Sequence, residues 1–156
     1  MERRSTIFAL SSAKGRAGVC VFRVSGPASK GALETLTGAP VPEPRRTALR
    51  DVRLADGTLI DRGLVLWFEG PHSFTGEDVA EFHLHGGPAV IAAMTRRLAE
   101  LPVRLPADAG EFTRRLADRL RAIGVPLPTD AGMIVFGGAD GTGSLGERHA
   151  LAELEV

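Results

Sequence analysis

Lysine is nearly absent: Lys14 and Lys30 are the only two in 156 residues, so the basic charge rests on arginine. The nineteen basic side chains are balanced by nineteen acidic ones. With no net charge, no global field draws the chain to nucleic acid or to an anionic membrane, and any RNA contact must be local. Cysteine occurs once, as Cys20 in the apolar stretch Val19 to Phe22. A single thiol excludes an intrachain disulfide and a multi-cysteine zinc site, and it fits a reduced cytosolic setting. Long hydrophobic runs are also lacking. Nothing approaches the roughly 18 apolar residues of a membrane span, and Met1 to Leu10 lack the apolar core of a secretory leader, so no membrane association is expected and the cytoplasm is the expected location. No G-x-x-x-x-G-K-[ST] sequence occurs. Without that backbone cradle and lysine for triphosphate groups, the chain is expected not to hydrolyse GTP by itself.

What is present suffices for one ordinary domain. Hydrophobic residues make up 44% of the chain, enough to bury a core. Thr6 to Leu10 and Val19 to Val24 read as strands around the loop SSAKGRAG. Gly26 and Pro27 open a short helix through Leu33 and Leu36, with Gly38 at the C-cap. Val52 to Leu54 and Leu59 to Phe68 flank Asp56-Gly57, a dipeptide suited to a hairpin turn. Val79 to His85 reads as a strand that runs into Gly86-Gly87-Pro88. A helix follows, marked by Val90, Ile91, Met94, Leu98 and Leu101 at helical spacing. Val103 to Leu105 reads as a short strand, and Phe112, Leu116 and Leu120 mark one face of a last helix. The texture then changes: residues 122–156 hold seven glycines and no sustained period. The expected division is a domain over 1–121 and a Gly-rich tail over 122–156. In that tail MIVF reads as one strand, and GTGSLG formally matches the dinucleotide fingerprint, but no second strand follows to supply a ribose-binding acid.

Two charged residues interrupt apolar strands, Arg23 in VCVFRV and Glu81 in VAEFHLH. Buried and unpaired, either would cost several kcal/mol, so each needs a partner or an opening to solvent. Strand alternation places Arg23 with Val19 and Val21, and Glu81 with Val79, His83 and His85. Two readings stand side by side: a structural Arg23–Glu81 pair, or a ligand site. In the second, the carboxylate accepts paired N–H bonds from a planar heterocycle and the guanidinium holds an acidic tail. His83 and His85, with His72 nearby in sequence, invite a metal reading, although two histidines on one strand are more often structural. His85 leads into Gly86 and Gly87, where the backbone admits close approach and the helix start offers free N–H groups to an anion; a tight strand-to-helix turn is the structural alternative. Cys20 reads as an inert core thiol, and no Ser, His and Asp set has the context of a nucleophile.

Three blocks now stand in order: TIFALSSAKGRAGVCVFRVSGP, DGTLIDRGLVLWFEGPHSFTGEDVAEFHLHGGPAV and AGEFTRRL. Together they resemble the N-terminal domain of the MnmE (TrmE) family of tRNA-modification GTPases over about residues 5–117. The most specific part is GPxSFTGEDVxExxxHGGP, at Gly70 to Pro88. The resemblance implies an α+β fold, a mixed sheet with flanking helices, similar to the folate domain of the glycine-cleavage T-protein. It also implies binding of 5-formyl-tetrahydrofolate or another tetrahydrofolate derivative, and pairing into a homodimer. The family's folate contacts correspond to Arg23 and Glu81. A further basic contact follows the third block; the sequence departs from the family there, and Arg121 by ungapped count or Arg119 with a short gap takes its place. His85, Gly86 and Gly87 complete the cofactor-binding candidates.

Full-length members of the family carry a GTPase domain that uses GTP, magnesium and potassium. They act with the flavoprotein MnmG (GidA) in building aminomethyl or carboxymethylaminomethyl groups on the wobble uridine of tRNA. The resemblance thus implies a folate-binding and dimerisation module of that system. The alternatives are a free-standing folate-dependent one-carbon transferase, for which Asp78 is the nearest acid, and a remnant that folds but binds nothing. Strand alternation puts Asp78 on the face opposite Glu81, which weighs against the transferase. For a dimer, the apolar hairpin bearing Trp67 and Phe68 is the expected contact surface, unless both aromatics belong to the core.

Overall fold

A computed structural model describes residues 5–12, 17–106 and 111–124. Two strands, β1 (Ile7–Leu10) and β2 (Val19–Ser25), are followed by helix α1 (Ser29–Thr37). Strands β3 (Ala48–Arg53), β4 (Leu59–Phe68) and β5 (Val79–His85) come next, then helices α2 (Pro88–Ala99) and α3 (Glu111–Ala122). The strands form one sheet in the order β1-β2-β5-β4-β3, so β5 inserts between the two hairpins formed earlier in the chain. Every strand pair is antiparallel. The α+β class holds; the mixed character reduces to a parallel bridge of Ile7 with Arg104, which is what becomes of the short strand expected at Val103 to Leu105.

Local sequence accounts for the elements. Gly38 ends α1 in the left-handed conformation, at φ 64°, and its N–H bonds the carbonyl of Glu34. The β3–β4 turn runs through Gly57, at φ 88°, and the Asp56 carboxylate accepts the N–H of Thr58 at 2.9 Å. Pro88 opens α2 at its first turn, where no N–H is needed.

Alternation then divides the sheet into two unlike faces. One face carries Phe8, Cys20, Phe22, Val24, Val65, Trp67, Ala80, Phe82 and Leu84, packed with Leu33 and Leu36 of α1 and Met94 and Leu98 of α2. Each fully buried Val, Leu, Met or Phe among them contributes about 1.5 to 3 kcal/mol. Trp67, 4% exposed, belongs to this core, so it cannot serve the contact surface envisaged for a dimer. The other face carries Arg23, Glu81, His83 and the leucines of β4. Its β1 end, where Ile7, Ser25 and Val79 share a row, adjoins α3, since Arg115 bonds the carbonyls of Ser25 and Ser5. Leu116 and Leu120 are buried outside the main core. Apart from Ala122, Ile123 and Gly124, the tail over 122–156, with MIVF and GTGSLG, lies outside the described residues.

Candidate functional site

Arg23 of β2 and Glu81 of β5 are direct cross-strand partners. The Arg23 Nε donates to Glu81 Oε1 at 2.7 Å, with the side chains 27% and 11% exposed. Glu81 Oε2 is engaged as well, by His83 Nε2 at 2.9 Å. Burial alone would raise the Glu81 pKa, but the His83 hydrogen bond and the charge of Arg23 outweigh it and hold the carboxyl below its ordinary range. The Arg23 guanidinium lies over the ring of Phe74, 5.3 Å from its centroid. Arg119 of α3 reaches the same loop, its Nη1 3.5 Å from the carbonyl of Phe74. Gly76 permits that approach: it adopts φ 76°, and a Cβ there would lie 3.2 Å from the Arg119 side chain. A carboxylate, an aromatic ring and a guanidinium thus meet where β2, β5 and loop 69–78 converge, and Arg119 of α3 reaches the backbone of that loop.

The loop owes its shape to contacts that sequence reasoning missed. The Asp78 carboxylate accepts the Gly70 N–H at 2.9 Å, and the hydroxyl of Ser73 donates to the carbonyl of Glu77. Ser25 Oγ meets Thr75 Oγ1 and Glu77 Oε2, both at 2.7 Å. Arg115, only 5% exposed, bonds Glu77 at 2.7 Å, Glu111 at 3.0 Å and the carbonyl of Ser5 at 2.7 Å. One guanidinium therefore ties together segments from all three sequence blocks. A usable signal lay in AGEFTRRL, whose second arginine falls one residue before the buried Leu116 and four after Glu111, but its other acidic partner, Glu77, is remote in sequence.

The remaining candidates lie elsewhere. His85 is exposed and its Nδ1 lies 3.0 Å from the Asp61 carboxylate, which also accepts the His85 backbone N–H at 2.8 Å. Those hydrogen bonds hold the Asp61 pKa low against its burial. His85 lies four residue steps from Glu81, about 13 Å along β5. A Cβ at Gly86 would collide with the carbonyl of Ala17, so this glycine serves a close backbone approach. Gly87 is the N-cap of α2, without a side-chain cap. Arg121 is exposed and pairs with Asp118 at 3.1 Å, away from the cluster. His83 and His85 pair with different carboxylates, and among the described residues no group of three or more side chains suited to a metal comes together. Burial, with a smaller effect from Asp61, raises the pKa of Cys20, whose Sγ faces the carbonyl of His85 at 3.5 Å. Asp78, the acid considered for one-carbon transfer, is committed to the loop. Among the described residues no helix is long and apolar enough to cross a membrane.

An antiparallel α+β domain with a partly buried, ionised cluster on its open face is the class these features define. Over residues 6–118 the chain matches the family model described as the GTP-binding protein TrmE N-terminus, and it belongs to that family. It is 64% identical over 112 residues to the tRNA modification GTPase MnmE of Paramagnetospirillum magneticum, covering 70% of this chain and 25% of that protein. It is 58% identical over 111 residues to the mitochondrial 5-taurinomethyluridine-[tRNA] synthase subunit GTPB3 of Danio rerio, covering 70% of this chain and 22% of that protein. The mouse counterpart is 57% identical over 113 residues, covering 71% of this chain and 23% of that protein. The chain thus spans about a quarter of the length of the curated relatives it matches.

Proposed function

We propose that this domain binds a reduced folate of the 5-formyl-tetrahydrofolate class at the Arg23–Glu81 cluster and pairs as a homodimer. In this reading it is the folate-binding module of a tRNA-modification system acting on the wobble uridine, with tRNA and the flavoprotein MnmG as partners of the whole assembly. The observation that carries the proposal is the ionised Glu81 carboxylate on a rigid, partly open strand face, beside the Arg23 guanidinium and the Phe74 ring, with Arg119 reaching the same loop. Each carboxylate oxygen can accept a second hydrogen bond beyond the one it has. The 2-amino and ring N–H groups of a pterin present a matching donor edge, Phe74 offers a flat apolar surface, and Arg119 offers a cation for the glutamate tail. The relatives, a tRNA modification GTPase and a 5-taurinomethyluridine-[tRNA] synthase subunit, support the wider setting. One-carbon transfer by the domain alone would require an acid near the folate, and Asp78 is spent on Gly70. GTP, magnesium and potassium have no part in this proposal, since the sequence contains no phosphate-loop motif.

Thermal unfolding with and without 5-formyl-tetrahydrofolate tests the reading. A ligand selective for the folded state at a hundred times its Kd adds about 2.7 kcal/mol to stability. A clear rise in Tm is expected, and no rise at saturating folate would overturn the assignment.

A further inference from the structure

The ligand reading asks Glu81 to present its carboxylate in one fixed plane, and Arg23 does not achieve that by itself. Arg23 touches Oε1 through Nε, and a single hydrogen bond leaves the carboxylate free to turn about its terminal torsion, which is broad and weakly restrained for glutamate. The second restraint comes from the same strand. His83 lies two residues on, on the same face, and its Nε2 is 2.9 Å from Oε2. Bonds to both oxygens, one from each strand, hold the plane.

The chemistry of this contact also fixes the imidazole. An ionised carboxylate has no proton to give, so the Nε2 of His83 must be the donor. In the neutral ring Nδ1 is then the bare acceptor, which selects one of the two tautomers. The imidazole is 33% exposed, so it is not sealed in the core. The Glu81 carboxylate so held is acceptor-only, suited to a ligand edge made of N–H donors and unsuited to one made of carbonyl oxygens. The other charged partner of Glu81 is Arg23 on the neighbouring strand, a permanent cation that bonds Oε1, so the hold on Oε2 falls to His83.

We propose that His83 is a positioning residue for ligand recognition: its Nε2–H fixes the plane of the Glu81 carboxylate and restricts the site to a planar heterocycle with an N–H donor edge. This rests on the folate reading above.

Folate titration of the wild type, His83→Gln and His83→Leu, joined to 15N spectroscopy of the ligand-free histidines, tests it. Glutamine keeps an amide donor and leucine keeps only bulk. His83→Leu is expected to weaken 5-formyl-tetrahydrofolate binding about tenfold, the worth of one charge-assisted hydrogen bond, and His83→Gln to stay within about threefold of the wild type. Where the His83 ring is neutral it is expected as the Nε2–H tautomer without ligand, a readout that does not depend on how either variant folds. An Nδ1–H ring overturns the inference, as does unchanged affinity in folded His83→Leu or a glutamine variant as weak as the leucine one. A wild type that binds no reduced folate yet shows the Nε2–H ring defeats the folate reading instead, and the site's donor-edge restriction falls with it.

Discussion

Two arginine–glutamate clusters lie within one small domain, and they differ in what they leave unspent. Arg115 is 5% exposed and gives Nη1 to Glu77 and, at 3.5 Å, to the carbonyl of Ser25; Nη2 goes to Ser5 and Glu111. Its neighbours are backbone carbonyls and carboxylates that it must neutralise, so it holds segments together and has little to offer a ligand. Arg23 is 27% exposed, and beyond its stacking on Phe74 its one hydrogen bond among the described residues is made by Nε. A guanidinium has five N–H donors, so most of those of Arg23 remain available. Enclosure and saturation mark a clamp, whereas partial exposure and spare donors mark a site. Breaking the clamp should have the largest effect. Arg115→Leu leaves Glu77 without its cation, while Glu111 keeps Arg104, and we expect stability to fall by about 3 kcal/mol. Urea unfolding measures it, with folate affinity of the folded fraction nearly unchanged. A loss under about 1 kcal/mol would erase the distinction between the clusters.

Glu81→Gln tests the other side of the comparison. The shape is retained, but an acceptor becomes a donor that faces the donor edge of the ligand. Folate binding should weaken by about 2 to 4 kcal/mol, or roughly 30-fold to 1000-fold. Stability should fall less, because solvent reaches Arg23. If the pair is only structural, the order reverses: the unliganded protein loses about 3 kcal/mol and folate affinity is untouched. Unfolding and titration on the same variant separate the two.

Acid provides a gentler probe. In the folded protein the Glu81 carboxyl titrates below its ordinary range, because the His83 hydrogen bond and Arg23 together outweigh burial. A folded pKa below the unfolded one means that the stabilisation is complete above the unfolded value, near 4.3, and fades as the pH falls through the folded value. The stability gap between wild type and Glu81→Gln should therefore be widest near neutrality and shrink in acid. Using the difference removes the parallel contribution of Asp61, whose pKa is also lowered. A gap equal at pH 6 and at pH 3 would show that the charge of Glu81 does nothing for the fold.

Local signals were readable in the sequence where one residue type had one physical meaning. The Asp56-Gly57 hairpin, the Gly38 cap and the Pro88 helix start needed only neighbouring residues. Arg23 and Glu81 stood out because a charge in an apolar strand demands an explanation. The insertion of β5 between β2 and β4 was not readable, since nothing local encodes strand order. Nor was the facing of β4: Leu64, Val65, Leu66, Trp67 and Phe68 are all apolar, so alternation is silent and the burial of Trp67 came from the structure. Arg115 escaped because its partners Ser5, Ser25 and Glu77 are remote in sequence, and Phe74 because a loop aromatic has no period to betray its position.

The smallest effect concerns which arginine of α3 serves the site. Arg119 and Arg121 are two residues apart, about 200° around the helix, so they cannot share a face. Arg119 crosses Gly76 and reaches the carbonyl of Phe74, beside Arg23. Arg121 is 64% exposed and makes one surface pair with Asp118. Such pairs contribute about 0 to 1 kcal/mol, so Arg121→Ala should leave stability within about 0.5 kcal/mol and folate affinity within about twofold. Arg119→Ala removes a cation beside the cluster and should weaken folate binding by about 1 kcal/mol, roughly fivefold. A ligand shortened by its glutamate tail should bind the wild type and Arg119→Ala equally, because the cation then has nothing to hold. Calorimetric titration of both variants with both ligands decides the matter. If Arg121→Ala weakens folate binding and Arg119→Ala does not, the ungapped correspondence is the right one, and the ligand's acidic end leaves the cluster along the exposed side of α3.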